Sequence, residues 1–446
     1  MDKYYVKPIR EKKNICVEVP GSKSITNRAL MLAALSDGTC KLKGVLFSDD
    51  SRAFLDCLEK LGFEFRVDEN KKEVIIKGEN GRIPKNNVTI NVRSAGTAAR
   101  FMTVLLAVCG GDYRLESSEQ MKRRPMSQLL ETLKEKGVVI RCLEEEGHFP
   151  LEIHSKGIGQ TDISIDTSKS SQYASALLMA GAVHGMKVEL TGSRVDGAYI
   201  KITLNMLEQF GIRYQQEENR QFSEGTKTYV IGKQRFSLKE YDIEPDMSAA
   251  CYFYAMALLL GVKSRVKGIR LNSMQGDVKF LYILEKLGCI LKEEKEAVEI
   301  DASAVKSYAG METDMSDFSD QALTMAVIAA FAKTPTKICN IEHIRGQESD
   351  RVQVIVNELQ KLGCKARILE ENGSTNVLII PGVLHGAEIE TYNDHRVAMS
   401  FAMAGLKLEG VVIDNPMCCN KTFENYFEVL DSIYSVSYTH LTLPTT

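Results

Sequence analysis

Several short clusters in this sequence set a basic or hydroxyl side chain at the start of an apolar helix, an arrangement suited to binding anions. In Gly21-Ser22-Lys23-Ser24-Ile25-Thr26-Asn27-Arg28, Ser24 and Arg28 lie four residues apart on one helical face, with Lys23 beside them. The free N–H groups and dipole of a helix start favour negative charge, so a phosphate or carboxylate is the natural guest. A nucleotide-binding P-loop needs an earlier glycine, and Cys16-Val17-Glu18-Val19-Pro20 precedes Gly21 instead. A second cluster, Arg93-Ser94-Ala95-Gly96-Thr97-Ala98-Ala99-Arg100, is built of small residues, and Gly96 lets a ligand approach the backbone most closely. Lys122-Arg123-Arg124-Pro125 is a basic run before a helix, readable as a site or as a solvated face. Ser170-Ser171-Gln172 places two hydroxyls and an amide at a helix start, where a cap needs one.

Acids complete the inventory. Asp320, in Phe318-Ser319-Asp320-Gln321, heads an apolar helix either as its cap or as a reactive carboxylate. Glu348 and Arg351 stand three residues apart in Arg345-Gly346-Gln347-Glu348-Ser349-Asp350-Arg351, the spacing of a surface ion pair of little energetic consequence. Asn393-Asp394-His395-Arg396 opens the last apolar helix, and Lys421-Thr422-Phe423 lies downstream. Asp246-Met247-Ser248 carries no basic group and reads as a capped structural helix. The seven histidines show no metal-ligand spacing, so no metal is expected. Neither a Gly-x-Ser-x-Gly elbow nor a Cys/His dyad signature appears in the sequence.

The elements that must position these residues repeat. Polar openings of Ala/Leu/Met-rich helices occur at 22–35, 94–108, 169–182, 246–260, 319–332 and 394–406. Their starts recur about every 75 residues, longer than usual solenoid periods. Amphipathic helices ending in glycine follow most of them, at 55–62, 129–137, 204–211, 281–288 and 354–363, each leading into an extended segment. Each unit therefore reads as a βαβαββ block. The first helix of each is apolar nearly all round, which predicts burial with sheets outside it. Six blocks make two domains of three, with a crossover at 237–246: residues 21–240, and 1–20 with 241–434. The strand at 15–19 is expected to complete a sheet of the second half. Residues 435–446 lose all periodicity and read as a non-native tail.

Bulk composition narrows the classes. With 446 residues, 44% of them apolar, the chain can bury a large core. A net charge of -3 with interspersed signs gives no field for nucleic acid, so basic sites must be local pockets. Eleven scattered cysteines without a Cys-x-x-Cys pair suggest reduced thiols, and neither a leader nor a long apolar run is evident. A cytoplasmic protein, monomeric and away from membranes, is expected.

Taken in order, Gly-Ser-Lys-Ser…Asn-Arg (21–28), Ala-Gly-Thr-Ala…Arg (95–100), Arg-Pro (124–125), Ser-Ser-Gln (170–172), Glu-Ser-Asp-Arg (348–351), Asn-Asp-His-Arg (393–396) and Lys-Thr-Phe (421–423) resemble the 3-phosphoshikimate 1-carboxyvinyltransferase (5-enolpyruvylshikimate-3-phosphate synthase) family. The resemblance implies an α/β fold of two inside-out barrel-like domains, three repeats each, with buried helices. It implies transfer of the enolpyruvyl group of phosphoenolpyruvate to the 5-hydroxyl of shikimate 3-phosphate, without a cofactor. Shikimate 3-phosphate would be held by Lys23, Ser24, Arg28, Ser170, Ser171, Gln172 and Asp320, with His343 and Gln347 nearby. Phosphoenolpyruvate would be held by Lys23, Gly96, Arg124, Gln172, Arg351, Arg396 and Lys421. Asp320 would take the hydroxyl proton, Glu348 would protonate the methylene, and Lys23 would assist.

Four positions depart from the family pattern. Ser94 stands where Asn is common, Asp196 where Ser is, Gln347 where Lys is, and His343 where Asn is. An acid at 196 would repel a sugar phosphate unless Ser193 or Arg194 compensates. The related UDP-N-acetylglucosamine enolpyruvyl transferases typically carry a reactive Cys before their Arg-Pro, and the loop here, from Ser117 to Arg124, has none. The remaining alternative is a non-catalytic paralogue, for which an acid–base pair would have no use.

Overall fold

A helix that is apolar on every side is stabilised only where every side is covered. In the computed structural model, which describes residues 2–168, 170–217, 225–371 and 373–434, such helices form the interior. All nine residues of Ala322–Ala330 are buried, as are residues 247–259 of Met247–Leu260 and residues 96–108 of Gly96–Cys109. Lys23–Leu35, Ser171–His184 and His395–Gly405 are nearly as deep. At roughly 1.5–3 kcal/mol for each large apolar side chain removed from water, these helices dominate the folding free energy. The tail 435–446 and Lys169 lie outside the described residues.

Buried apolar residues form two clusters. One runs from Ile25 to Ile243; the other joins Tyr4, Val6, Ile15, Val17 and Val19 to residues from Met247 to Ile433. Around them, among the described residues, lie six small sheets. In the sheet of Val88–Asn91, Gly111–Glu116, Leu151–Ser155 and Val139–Cys142, the first pair is parallel and the rest antiparallel. The buried helix Gly96–Cys109 makes the parallel crossover, and Ser127–Glu135 precedes the final hairpin. Four further sheets repeat that order; the sixth has three strands, Lys3–Tyr5, Val412–Asp414 and Glu388–Ile389.

Among the described residues the sheets stay separate, and no closed barrel wall forms. The amphipathic helices explain the gaps. Asp49–Lys60 packs against strand Val88–Asn91, Ser127–Glu135 against Thr161–Asp166, and Arg351–Lys361 against Glu388–Ile389, each filling the space between neighbouring sheets. These helices end at glycines as their patterns predicted; Gly62 (φ 88°) and Gly363 (φ 97°) take the left-handed conformation that closes the last turn.

Two leading strands are exchanged between the halves. Ile15–Val17, just before helix Lys23–Leu35, pairs in parallel with Lys263–Lys267 of the second half. Glu240–Asp242, just before Met247–Leu260, pairs in parallel with Asp37–Lys43 of the first. The two connections touch: Ser22 N–H donates to Glu244 O at 2.8 Å, and Asp246 N–H to Pro20 O at 2.8 Å. Among the described residues, no helix is long and apolar enough to cross a membrane.

Candidate functional site

The crossing connections bring the start of helix Lys23–Leu35 next to the start of helix Met247–Leu260, and charged residues from both halves meet there. Asp246 caps the second helix through Ala249 N–H at 2.9 Å, and its other oxygen accepts the Lys23 N–H at 3.3 Å. The Lys23 side chain approaches Asp50 at 3.5 Å, and Lys421 reaches the other Asp50 oxygen at 3.4 Å. Lys421 also lies 3.8 Å from Glu348 and donates to Ser94 O at 2.8 Å. Arg124 lies 3.7 Å from Glu348. Arg351 pairs with Glu348 at 3.0 Å and with Asp320 at 3.0 Å, and Arg396 closes the chain on Asp320 at 2.8 Å. The five cations expected to hold phosphoenolpyruvate thus belong to one network with Asp50, Glu348, Asp320 and Asp394.

The two acids differ in setting. Burial alone would raise the pKa of Asp320, but Arg396 and then Arg351 outweigh it, and the carboxyl is held down to about 2. The Tyr199 hydroxyl donates to the same carboxylate. Asp320 therefore does not cap its helix. Its short 3-10 turn, Ser319–Gln321, aims it at the arginines instead. Burial likewise opposes ionisation of Glu348, yet Arg124, Arg351, Lys421 and Lys23 together hold it well below the usual carboxylate range. The Glu348–Arg351 pair is buried, not the surface pair its spacing suggested: packing of Arg351–Lys361 against its neighbours removes it from water.

Beside Asp320 the lining turns to hydroxyls and an uncompensated arginine. Arg28 is fully buried and, among the described residues, has no carboxylate partner. It donates to Thr203 Oγ1 at 2.8 Å, Ser24 O at 2.8 Å, Ser175 Oγ at 2.9 Å and Tyr199 O at 3.3 Å. Burial lowers its pKa to about 10, still charged at neutral pH. Ser170 caps helix Ser171–His184 by accepting Gln172 N–H at 3.3 Å, while Gln172 Oε1 is buried without a partner. His343 Nε2 sits 2.6 Å from Ser319 Oγ; burial and then Arg194 push its pKa down to about 3, so it is neutral. Gln347 accepts a hydrogen bond from Arg351. Gly96 earns its place by space: a Cβ there would lie 2.7 Å from Arg124 Nη1 and 2.9 Å from Arg100 Nη1. Of the basic run, Arg124 enters the site, whereas Lys122 pairs with Glu119 and Glu144 at the surface.

Several residues of the site carried no usable signal. Asp50 reads as an ordinary first-turn acid of helix Asp49–Lys60. His395 is buried beside Lys23, Arg396 and Glu348; among the described residues its ring nitrogens make no hydrogen bond, and Nδ1 lies 3.7 Å from Asp394 Oδ1. Asp277, buried near Asp320, accepts from Gln321 Nε2 at 2.8 Å; burial and then the Asp320 charge raise its pKa to about 6.

Two buried carboxylates set among fixed cations, where two α/β halves meet, are the arrangement of an enzyme acting on anionic substrates. The family model for EPSP synthase (3-phosphoshikimate 1-carboxyvinyltransferase) matches residues 9–430, and the chain belongs to that family. A 3-phosphoshikimate 1-carboxyvinyltransferase of Nostoc punctiforme is 38% identical over 429 residues, 96% of this chain and 98% of the relative. One of a Sulfurovum species is 38% identical over 440 residues, 98% of this chain and 100% of the relative. The solved EPSP synthase of Acinetobacter baumannii superposes with a TM-score of 0.78 over 97% of this chain and 98% of that one, at 23% identity, and so speaks for the fold.

Proposed function

We propose that this chain transfers the enolpyruvyl group of phosphoenolpyruvate to the 5-hydroxyl of shikimate 3-phosphate and releases phosphate, serving aromatic amino acid biosynthesis. The observation that carries this reading is the single network joining Lys23, Arg124, Arg351, Arg396 and Lys421 to Asp320 and Glu348. Both substrates are multiply charged anions that repel each other, and fixed cations in a buried crevice hold them together. Phosphoenolpyruvate lies among Lys23, Arg124, Arg351, Arg396 and Lys421, with Gly96 giving it room and Gln172 a hydrogen bond. The acceptor lies against Ser24, Arg28, Ser170, Ser171 and Gln172.

Glu348 is held anionic by Arg124, Arg351, Lys421 and Lys23. Phosphoenolpyruvate neutralises those cations, so the Glu348 pKa rises and it arrives as an acid. It delivers its proton to the methylene carbon, leaving positive charge on the adjacent carbon. Asp320 removes the 5-hydroxyl proton as that oxygen attacks, giving a tetrahedral adduct. Glu348, a carboxylate again after giving up its proton, takes one from the new methyl group, and the double bond is restored as phosphate departs. The same reading takes residues 21–240, and 1–20 with 241–434, as two domains of three βαβαββ units forming an inside-out architecture. It places a monomer in the cytoplasm, consistent with the eleven free cysteines. Nothing at the site favours the UDP-sugar alternative.

The test is phosphate release from phosphoenolpyruvate by the purified protein. Release that requires shikimate 3-phosphate supports the reading. Release with another alcohol only, or none, overturns it.

A further inference from the structure

Arg194 has no part in the scheme above, yet it faces the same crevice. Its loop is tied to the segment leading into helix Ser171–His184, where Ser193 N–H donates to Ser168 Oγ at 3.2 Å. Its side chain lines a narrow cleft with Tyr199, Asp317, Ser319 and Asp320. Among the described residues, its guanidinium makes neither a hydrogen bond nor an ion pair. The carboxylates it senses are already committed: Asp317 to Lys279, and Asp320 to Arg351, Arg396 and Tyr199. A partly buried cation without a partner costs free energy until an anion reaches it.

Neighbouring groups leave the same charge unfilled. Asp196, in the same loop, is drawn outward by an ion pair with Lys227, so it neither compensates Arg194 nor faces the crevice. Gln347 is uncharged and bound to Arg351. His343 is neutral and engaged with Ser319. Among the described residues Arg194 is thus a cation free to take a phosphate, on a loop tied to Ser168 just ahead of helix Ser171–His184, and a guanidinium suits a phosphate by its paired donors.

We propose that Arg194 binds the phosphate monoester of the acceptor, supplying the charge that a lysine at position 347 would otherwise provide. This rests on the acceptor being shikimate 3-phosphate, as read above, and identifies a specificity-determining residue for that reaction.

The experiment compares the unaltered protein with Arg194→Gln and with Arg194→Gln combined with Gln347→Lys. Initial rates of phosphate release are measured against each substrate in turn, and circular dichroism checks folding. Losing a charge-assisted contact should raise KM for shikimate 3-phosphate about 10- to 100-fold in the single variant, with KM for phosphoenolpyruvate changed less than about 2-fold. The lysine should recover most of the loss. Preference for shikimate 3-phosphate over unphosphorylated shikimate should fall by the same factor as KM rises. A folded Arg194→Gln protein with unchanged KM for shikimate 3-phosphate overturns the proposal, as does an equal rise in both KM values. If the unaltered protein shows no release dependent on shikimate 3-phosphate, the functional reading fails first, and the proposal with it.

Discussion

Arg351 meets Asp394 through two parallel hydrogen bonds, Nε to Oδ2 at 2.8 Å and Nη2 to Oδ1 at 3.1 Å, and both residues are buried. Asp394 also caps the last buried helix by accepting Arg396 N–H at 3.0 Å, and it accepts Ser349 Oγ at 2.9 Å. One carboxylate therefore fixes two arginines relative to each other. Asp394→Ala should leave Arg351 short of its main counter-charge and cost about 3–5 kcal/mol of stability. Urea unfolding measures this; a loss under about 1 kcal/mol would show that Asp394 is not structural.

Glu348→Gln and Asp320→Ala should each lower turnover at least ~100-fold, because each removes a proton-transfer group. Steady-state phosphate release reads the effect, and circular dichroism should show the fold retained. Full activity in either variant would remove its assigned role.

Gly96→Ala should act on phosphoenolpyruvate more than on the acceptor. The added methyl would meet Arg124 Nη1 at 2.7 Å, so that guanidinium must shift. Separate titrations of the two substrates should show KM for phosphoenolpyruvate rising about 10-fold or more, the size of one weakened charge-assisted contact. An effect confined to shikimate 3-phosphate would place Gly96 elsewhere.

Asp277 gives the pH profile a testable shape. Its pKa is raised to about 6, so it is neutral below that pH and anionic above it. Its charge, once present, makes Asp320 a stronger base, so kcat/KM should rise as pH passes upward through about 6. His343, at about 3, adds no limb in that range. Asp277→Asn mimics the neutral form and should flatten the limb at its lower level; a limb that survives unmoved implicates another group.

Local chemistry made part of the site legible. Lys23 and Arg396 stand at helix starts, which favour anions, whereas Arg124 reads equally as a solvated run and Arg351 as a surface pair; the resemblance to a family, and not the local pattern, joins them with Lys421. Their counter-ions were harder to read. Asp50 pairs with Lys421, which lies in the other half of the chain, and only the folded arrangement brings the two together. Asp394 stood in a recognised motif, but nothing local distinguishes a cap from the partner of a distant arginine. The sixth, three-stranded sheet also escaped notice, because its third strand, Lys3–Tyr5, comes from the opposite end of the chain.

The exchanged strands impose an order on biosynthesis. Ile15 and its partner Ser264 are 249 residues apart, so at ~5–20 residues per second the early strand waits roughly 12–50 s for its neighbour to be made. Throughout that interval a short apolar edge stays open while the first core assembles behind it. The protein is thus at its most vulnerable to wrong pairing on the ribosome, and a circularly permuted chain that brought these segments together should emerge with less need of chaperones.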